Sequence, residues 1–455
     1  MANHIWERNL SRRLLHDFIP LMNIVQITPG AGGMYCGNCF RDNALVSELR
    51  AMGHETMMIP LYLPMTLEDA DQSSGTPIFF SGINVYLEQL SPLFSRMPHW
   101  LHGMFRSPGL LKLAAGRAAK TRADELGELT LSMLRGEEGN QAREVEELAG
   151  WLKEYGKADL ICLSNALLVG VARGLKQKLN VPVICTLQGE DYFLDALKPT
   201  HRERTWTVLS ERAQEIDLFI APSVYFAQRM SARLKLDPAK VRVIHNGIDP
   251  SAYTPATVPS TTPVLGYFAR MCREKGVDTV VKAFILLRKR NKVPGLKLRI
   301  GGGMGPSDEP VVAAIKQWIA AEGLTGEVEF FPNLDKKEKQ SFFKSLSVMS
   351  VPALYGEAFG LYLLEAWAAG VPVVQPATAA FPELISHAKS GLLCDPGSPE
   401  SLALKIEELL LDEPKRQQLA RNARAAVEGH FSLHSLAEQT LQAFASVKRS
   451  EAVAV

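Results

Sequence analysis

Hydrophobic and polar positions repeat along the chain as short β-branched apolar runs separated by longer amphipathic stretches. The first run, Asn23 to Thr28, is followed by the loop PGAGGMYCGN and by a helical stretch that ends at Gly53. Further strand-like runs are HETMMIPLY, ADLICLS, VPVICTL, DLFIAPS and VRVIHN. Because strands that alternate with helices form parallel sheets, this pattern predicts an α/β lobe.

The segment 249–263, DPSAYTPATVPSTTP, interrupts the alternation, and its Pro, Ser and Thr content predicts an extended linker with little to pack. The alternation then begins again with VLGYFAR, LKLRIGG, VEFFPN, LSVMSVP and PVVQP. At 455 residues the chain is also longer than one hydrophobic core usually supports. We therefore predict two Rossmann-like, doubly wound parallel-sheet domains that face each other across a cleft, with ligands at the carboxyl ends of the strands.

The domain boundaries follow from these breaks in the pattern. The first 22 residues are interpreted as an extension, either a docking helix or a segment that precedes a true start at Met22. The last helical stretch, LHSLAEQTLQAFASV, has a pattern that fits packing on either lobe. The predicted divisions are an extension at 1–22, a first domain at 23–255 with a helical insertion at about 95–155, a second domain at 256–430, and a helix and tail at 431–455.

Composition narrows the functional classes. A formal net charge of +1 gives no global field for nucleic acid, and no run approaches the roughly 20 apolar residues that a membrane span requires. Six cysteines in so long a chain favour a reducing compartment, and the N-terminus lacks the apolar core of a secretory signal. We expect a cytoplasmic protein that does not bind nucleic acid.

The segment PALYGEAFGLYLLEAWAAGVPVVQP contains two acids eight positions apart, Glu357 in a loop and Glu365 on a helix that begins near Gly360 and ends at Gly370. The first backbone N–H groups of this helix, from Phe359, Gly360 and Leu361, suit an anionic or hydroxyl-rich ligand. Glu365 lies about one turn deeper and can accept hydrogen bonds from a ribose diol, while Glu357 can orient a sugar. A helix with ordinary capping acids is the alternative interpretation.

In GYFARMCREKGVD, Arg270 ends a strand and Lys275 precedes a helix that starts after a glycine. Two cations at the carboxyl edge of a strand can neutralise a departing diphosphate, Arg270 as a planar fork and Lys275 as a point charge. Solvated loop cations are the alternative. The glycine run GGGMG follows another strand, and Gly303 within it lets the backbone approach a nucleotide.

Together with VRVIHNGID and FPELISHAKSGLLCDPGSPESLA, these segments resemble the GT-B glycosyltransferases of family GT4 from Asn23 to about Leu441. The resemblance implies a donor site that uses Arg270, Lys275, Glu357 and Glu365. It also implies backbone contacts from Phe359 and Gly360, net retention of anomeric configuration, and no required metal or other cofactor.

The first domain carries weaker signals. The loop Gly30 to Gly33 resembles the glycine-rich loop of the family, in which Gly32 and Gly33 approach the donor, and a flexible turn is the alternative. After VPVICT the family usually carries His-Gly, whereas this chain has Gln188-Gly189. Glutamine cannot take a proton but can bond a sugar hydroxyl, so Gln188, Glu190 and Asp191 are the candidate acceptor residues.

Two further features have alternative interpretations. Cys36 and Cys39 have the spacing of a metal or redox pair, but without a second cysteine pair or a histidine cluster we interpret them as packing residues and predict no metal site. The insertion mixes aromatic and basic residues around Trp100 and Arg106, which solvated covering helices explain and which peripheral contact with an anionic membrane explains as well.

The sequence, together with this resemblance, therefore predicts a glycosyltransferase. The resemblance implies that the enzyme is retaining and metal-independent, and that it moves a sugar from a UDP, GDP or ADP donor to a carbohydrate or lipid-linked hydroxyl acceptor. The rival hypotheses are a nucleotide-sugar epimerase or hydrolase on the same fold, and a catalytically silent protein that binds a sugar nucleotide.

Overall fold

The computed structural model describes residues 20–30, 37–65, 67, 69–79, 123–255 and 262–453. Within these ranges two parallel sheets form, each of six strands. In the first lobe the strands are β1 (Asn23–Thr28), β2 (Glu55–Pro60), β3 (Leu160–Leu163), β4 (Val183–Thr186), β5 (Leu218–Ala221) and β6 (Val241–Val243). In the second they are β7 (Val264–Phe268), β8 (Lys297–Gly302), β9 (Val328–Pro332), β10 (Val348–Met349), β11 (Val373–Pro376) and β12 (Gly391–Cys394).

Helices separate these strands, as the alternating pattern predicts. In the first lobe they are α1 (Gly37–Ala51), α2 (Ala123–Arg135), α3 (Ala142–Trp151), α4 (Ala172–Leu179), α5 (Glu190–Ala196), α6 (Pro199–Ala213) and α7 (Val224–Leu234). In the second they are α8 (Val277–Arg290), α9 (Glu309–Ala321), α10 (Lys336–Lys344), α11 (Leu361–Ala368), α12 (Phe381–Ala388), α13 (Pro399–Leu411), α14 (Glu413–Glu428) and then α15 (Leu433–Val453).

Strand order confirms the two-domain Rossmann-like prediction. The second sheet runs β9-β8-β7-β10-β11-β12. This is a doubly wound order, in which the strand order reverses between the adjacent parallel strands β7 and β10. The first sheet runs β2-β1-β3-β4-β5-β6, with its reversal between β1 and β3. Each buried strand is rich in apolar residues on both faces, because helices cover both sides of a parallel sheet.

The last helix, α15, packs on the first lobe although it follows the second. Leu436, Leu441 and Phe444 are buried against Leu45 of α1 and Ile24 of β1. The sequence left the lobe open, and the structure shows that this helix completes the apolar layer over one face of the first sheet.

One sequence expectation changes at the segment that links the lobes. Tyr253, assigned to a linker with little to pack, is buried in the core of the second lobe, so that expectation is wrong at this residue. Ile248 lies beside the chain that returns from α14, and its N–H donates to the Phe431 carbonyl at 3.1 Å. The two connections between the lobes thus run side by side. Of the predicted insertion, the described part is helical, in α2 and α3.

Candidate active site

The candidate site lies where the strand order reverses between β7 and β10, which is the place where open parallel sheets bind ligands. Arg270 follows β7, and the segment 350–360, called here the Glu357 loop, follows β10. Lys275 ends a short 3-10 turn, and Gly276 behind it has φ 75°. A Cβ at Gly276 would stand 2.0 Å from the Pro352 carbonyl oxygen, so glycine there lets the turn pack against the Glu357 loop.

Lys275 and Glu357 form the centre of the site. The ammonium Nζ donates to Glu357 Oε2 at 2.5 Å, and the Tyr362 hydroxyl donates to the same oxygen at 3.1 Å. Tyr355 donates to it as well, at 3.4 Å, and its ring centroid is 4.8 Å from Lys275 Nζ. Burial, followed by the Glu357 charge, raises the pKa of both tyrosine hydroxyls, so they stay protonated donors.

Arg270 is held at the rim of the site by the loop that follows β8. Its Nε lies 3.0 Å from both carboxylate oxygens of buried Asp308, and its Nη2 donates to Ser307 Oγ at 2.9 Å. The hydrogen bond that Arg270 donates to Asp308 is the main reason that the pKa of Arg270 is raised. Asp308 Oδ2 also accepts from the Gly305 N–H at 2.9 Å, which ties the glycine run to the arginine.

Glu365 lies on the second turn of α11, as predicted, and it has two partners from distant parts of the chain. Its Oε1 accepts from the Tyr253 hydroxyl at 2.9 Å and forms an ion pair with buried Lys339 at 3.0 Å. The carboxylate is therefore fixed in direction before any ligand arrives. A vicinal diol placed against it would meet an oriented acceptor.

The start of α11 has the geometry that the sequence predicts. Gly360 precedes the helix with φ 91°, a conformation that side-chain-bearing residues rarely adopt, and Leu361 is the first helical residue. Phe359 is buried, so the chain enters the helix over an apolar anchor. Gly303 lies just after β8, its carbonyl accepts from the Met271 N–H at 2.8 Å, and a Cβ added to it would meet nothing within 4 Å.

The first lobe meets the second at this same loop. The Ser223 hydroxyl donates to the Ala358 carbonyl at 2.7 Å, and Gly189 approaches the Ala358 side chain. Gly37, which opens α1 directly after the glycine-rich loop, approaches the Leu361 side chain. Gly32, Gly33 and Cys36 lie outside the described residues, so their roles stay predictions.

The predicted acceptor residues have structural partners. Glu190 is buried, and its two oxygens accept from the backbone N–H groups of Ala166 at 2.7 Å and Gln188 at 2.9 Å. Burial raises the pKa of Glu190. Asp191 is buried and forms an ion pair with Arg229. Both carboxylates thus hold the loop and helix in place, and Gln188 remains the part-buried member of the three.

Sequence reasoning placed Arg270, Lys275, Glu357 and Glu365 at one site, and the structure brings all four to the same edge of the second sheet. It missed the groups that hold them. Tyr362 could have been found, because it lies in the first turn of α11, only five positions after Glu357. The others missed are Tyr253, Asp308, Lys339 and Tyr355.

A second polar group, at the junction of the lobes, was also missed. The histidine cluster comprises His245, His387 and His430. Ring nitrogens of His245 lie 2.8 Å from His430 Nε2 and 2.8 Å from Glu383 Oε1. The ring centroids of His387 and His430 are 4.0 Å apart.

Within the described ranges, no group of three or more His, Cys, Asp or Glu side chains is arranged to hold a metal ion. Cys39 is buried, as expected of a packing residue. None of the helices described is long and apolar enough to cross a membrane.

Two family models match consecutive parts of the chain. Glycosyltransferase Family 4 matches residues 80–252, and Glycosyl transferases group 1 matches residues 255–426. Among curated proteins, the chain is 28% identical over 304 residues to a glycogen synthase of Mycobacterium tuberculosis, covering 65% of this chain and 70% of that protein. It is 29% identical over 245 residues to a D-inositol 3-phosphate glycosyltransferase of Mycobacteroides abscessus, covering 50% of this chain and 52% of that protein.

Solved structures share the fold over nearly the whole chain. A sucrose-phosphate synthase from Thermosynechococcus elongatus aligns with a TM-score of 0.67 at 19% identity, covering 94% of this chain and all of that one. Anabaena HepE in complex with UDP aligns with a TM-score of 0.65 at 19% identity, covering 93% of this chain and all of that one. With both lobes matched in order by the family models and the GT-B fold shared, the chain belongs to the group 1, family 4 glycosyltransferases.

Proposed function

We propose that the protein transfers a sugar from a nucleoside diphosphate sugar to a carbohydrate or lipid-linked hydroxyl, with retention of configuration and without a metal ion. The observation that carries this proposal is the convergence of two cations and two carboxylates at the point where the strand order of the second sheet reverses. Lys275 and Arg270 lie at the carboxyl end of β7, and Glu357 and Glu365 lie on either side of the start of α11.

Each group has a role that its surroundings support. Arg270 and Lys275 neutralise the diphosphate, and this is why the proposal needs no metal. Glu365 binds the ribose diol, oriented by Tyr253 and Lys339. Glu357 and the backbone at Phe359 and Gly360 position the sugar, and Gly303 lets the backbone approach the donor.

In the proposed transfer, the acceptor hydroxyl oxygen bonds to the anomeric carbon on the face from which the diphosphate departs. The bond between that carbon and the phosphate oxygen breaks, and its electron pair moves to the phosphate. The hydroxyl proton passes to the same phosphate oxygen. No side chain has to act as a base in this step, and Gln188, which cannot take a proton, is compatible with it. Its amide can instead orient the acceptor hydroxyl.

Similar structures support the choice of donor class. The HepE structures are described as complexes with UDP, with UDP and glucose, and with UDP-glucose. A Staphylococcus aureus TarM structure, with a TM-score of 0.55 at 18% identity over 67% of this chain, is described as a complex with α-GlcNAc-glycerol and UDP. These ligands belong to those proteins, and the fold they share with this chain makes UDP the first nucleotide to test.

The donor test is a thermal-shift measurement with UDP, GDP and ADP. A nucleotide that binds only the folded state stabilises it by about 2.7 kcal/mol at about 100 times its Kd. We expect one of the three to raise the melting temperature of the parent protein and to do so less in Lys275→Ala. Lys289→Ala is the matched control, because Lys289 pairs with Glu322 on the surface of the same lobe. If none of the three nucleotides shifts the melting temperature, the donor site is wrongly assigned.

Product analysis separates the rival functions. With UDP-glucose, GDP-mannose and ADP-glucose, a transferase releases the nucleoside diphosphate faster when an acceptor is added. A hydrolase releases the nucleoside diphosphate at the same rate with or without an acceptor. An epimerase changes the configuration of the sugar while the sugar stays attached to the nucleotide. A silent binding protein is stabilised by a nucleotide but turns over none of the donors. Loss of acceptor-dependent release in Glu357→Ala, with the shift by nucleotide retained, supports transfer at the candidate site.

A further inference from the structure

The first lobe presents three side chains to the Glu357 loop. Ser223 bonds the Ala358 carbonyl, as described above. The hydroxyl of Tyr225 occupies the space beside Gly356, where an added Cβ would stand 2.1 Å from it. Gly356 is therefore the residue that lets this tyrosine reach the loop.

The third side chain is Tyr192 on α5, whose ring lies against the ring of Tyr355. Their centroids are 4.6 Å apart and the planes are inclined by 34°, within the range of favourable aromatic pairs. Tyr192 is 43% exposed and comes from the first lobe, while Tyr355 is part of the Glu357 loop in the second. The stacked pair thus bridges the cleft beside the candidate site.

Tyr355 is the link between this contact and the charged centre. Lys275 Nζ lies over the Tyr355 ring, 4.8 Å from its centroid, and the Tyr355 hydroxyl donates to Glu357 Oε2. A ring that turned away would remove both the cation–π contact and one of the donors to the carboxylate. Anything that holds Tyr355 in place therefore also holds Lys275 and Glu357.

The base of Tyr192 is itself rigid. The preceding residue, Asp191, is buried and paired with Arg229, and Glu190 fastens the start of α5 to two backbone N–H groups. These are the two acids that the sequence assigned to the acceptor. Both acids bond within the first lobe, whereas the ring of Tyr192 extends from α5 to the second lobe.

We propose that Tyr192 is a positioning residue of the transfer reaction: its ring, carried by the first lobe, holds Tyr355 over Lys275 and so keeps Lys275 and Glu357 in their working arrangement. This inference rests on the proposed function, because it assigns Tyr192 a role at the same site. In this arrangement, Lys275 and Glu357 take their working positions only when the first lobe contacts the Glu357 loop. Tyr192 acts through Tyr355 and contacts neither Lys275 nor Glu357 directly among the contacts described.

The test compares Tyr192→Ala, Tyr192→Phe and Tyr155→Ala. Phenylalanine keeps the stacked ring and removes the hydroxyl, and Tyr155 is an exposed tyrosine of the same lobe, placed on Trp151. With UDP-glucose as donor, we expect Tyr192→Ala to lower kcat about tenfold, as an aromatic pair of this kind supports. Tyr192→Phe and Tyr155→Ala should stay within about twofold of the parent. The Kd for UDP should rise in Tyr192→Ala and stay near that of the parent in Tyr192→Phe, because Lys275, which Tyr355 contacts, neutralises the diphosphate in the proposed donor site.

Two kinetic results would overturn the inference. An unchanged kcat in Tyr192→Ala would show that the stack positions nothing, and an equal loss in Tyr192→Phe would assign the effect to the hydroxyl. Failure of the proposed function looks different, since the parent protein would then turn over no donor.

A second measurement does not depend on turnover. Amide hydrogen exchange of the Glu357 loop in the ligand-free protein should be faster in Tyr192→Ala than in Tyr155→Ala, and restored in Tyr192→Phe. Equal exchange in all three variants contradicts the inference even if no donor is found.

Discussion

Replacing Lys275 by alanine should destabilise the protein as well as inactivate it, because Lys275 is the cation that accompanies a nearly buried carboxylate. The Lys275 side chain is 21% exposed and that of Glu357 is 12% exposed, with 2.5 Å between Nζ and Oε2. Removing one partner of a fully buried pair costs about 3–5 kcal/mol. Two tyrosine hydroxyls still donate to Glu357, and solvent reaches part of the pair, so we expect about 2 kcal/mol.

A loss of that size is easily measured. In a lobe of this size it corresponds to a fall of about 4–8 °C in melting temperature. Lys289→Ala is the control, because the Lys289 side chain is 60% exposed and that of Glu322 is 34% exposed. A surface pair of this kind contributes about 0–1 kcal/mol, so the control should melt within about 4 °C of the parent.

The double variant Lys275→Ala/Glu357→Gln separates stability from chemistry. Neutralising Glu357 removes the charge that was left without its cation, so the double variant should melt above Lys275→Ala. It should remain inactive, because both groups act on the donor in the proposed reaction. If Lys275→Ala melts like the parent, or if the two substitutions lower the melting temperature additively, the pair is not electrostatically coupled and the reasoning is refuted.

Three further outcomes are expected. Gly360→Ala should destabilise the protein by about 1–3 kcal/mol and weaken UDP binding, because φ is 91° and the new Cβ would stand 3.0 Å from the Tyr362 ring. Thermal melts with and without UDP measure both effects. Tyr253→Phe should weaken UDP binding about fivefold by freeing Glu365, whereas tighter or equal binding in calorimetry would contradict the ribose role. Burial and the neighbouring histidines lower the pKa of His430 from 6.5 to about 4. The unfolded chain therefore binds this proton first, and stability present above pH 6.5 should be lost as pH falls towards 4, less so in His430→Gln.

The parts of the site that the sequence predicted are those encoded locally. Strand ends, the glycine before α11 and the two acids around it follow from periodicity and from the conformations that only glycine adopts readily. The helix ends at Ala368 and Gly370 has φ 72°, as the Gly-Val-Pro sequence indicates.

The partners of those residues could not be predicted in the same way, because they come from distant positions. Tyr253 and Glu365 are 112 residues apart, and Arg270 and Asp308 are 38 apart. No local pattern states which tyrosine or aspartate will meet a given charge once two sheets have formed. The acceptor assignment met the same limit, since Glu190 looks like an available acid in the sequence and is fastened to backbone in the fold.

The junction between the lobes constrains how the first lobe can lie against the Glu357 loop. The two connections between the lobes pair at Ile248 and Ser432, and a Cβ on Gly247 would stand 2.3 Å from the Ser432 carbonyl oxygen. Both connections therefore pass through one tight crossing, held on its first-lobe side by the packing of α15. Because the two connections are fixed at one point, the position of the first lobe against the Glu357 loop depends on this crossing as well as on the contacts of Ser223, Tyr225 and Tyr192 with the loop.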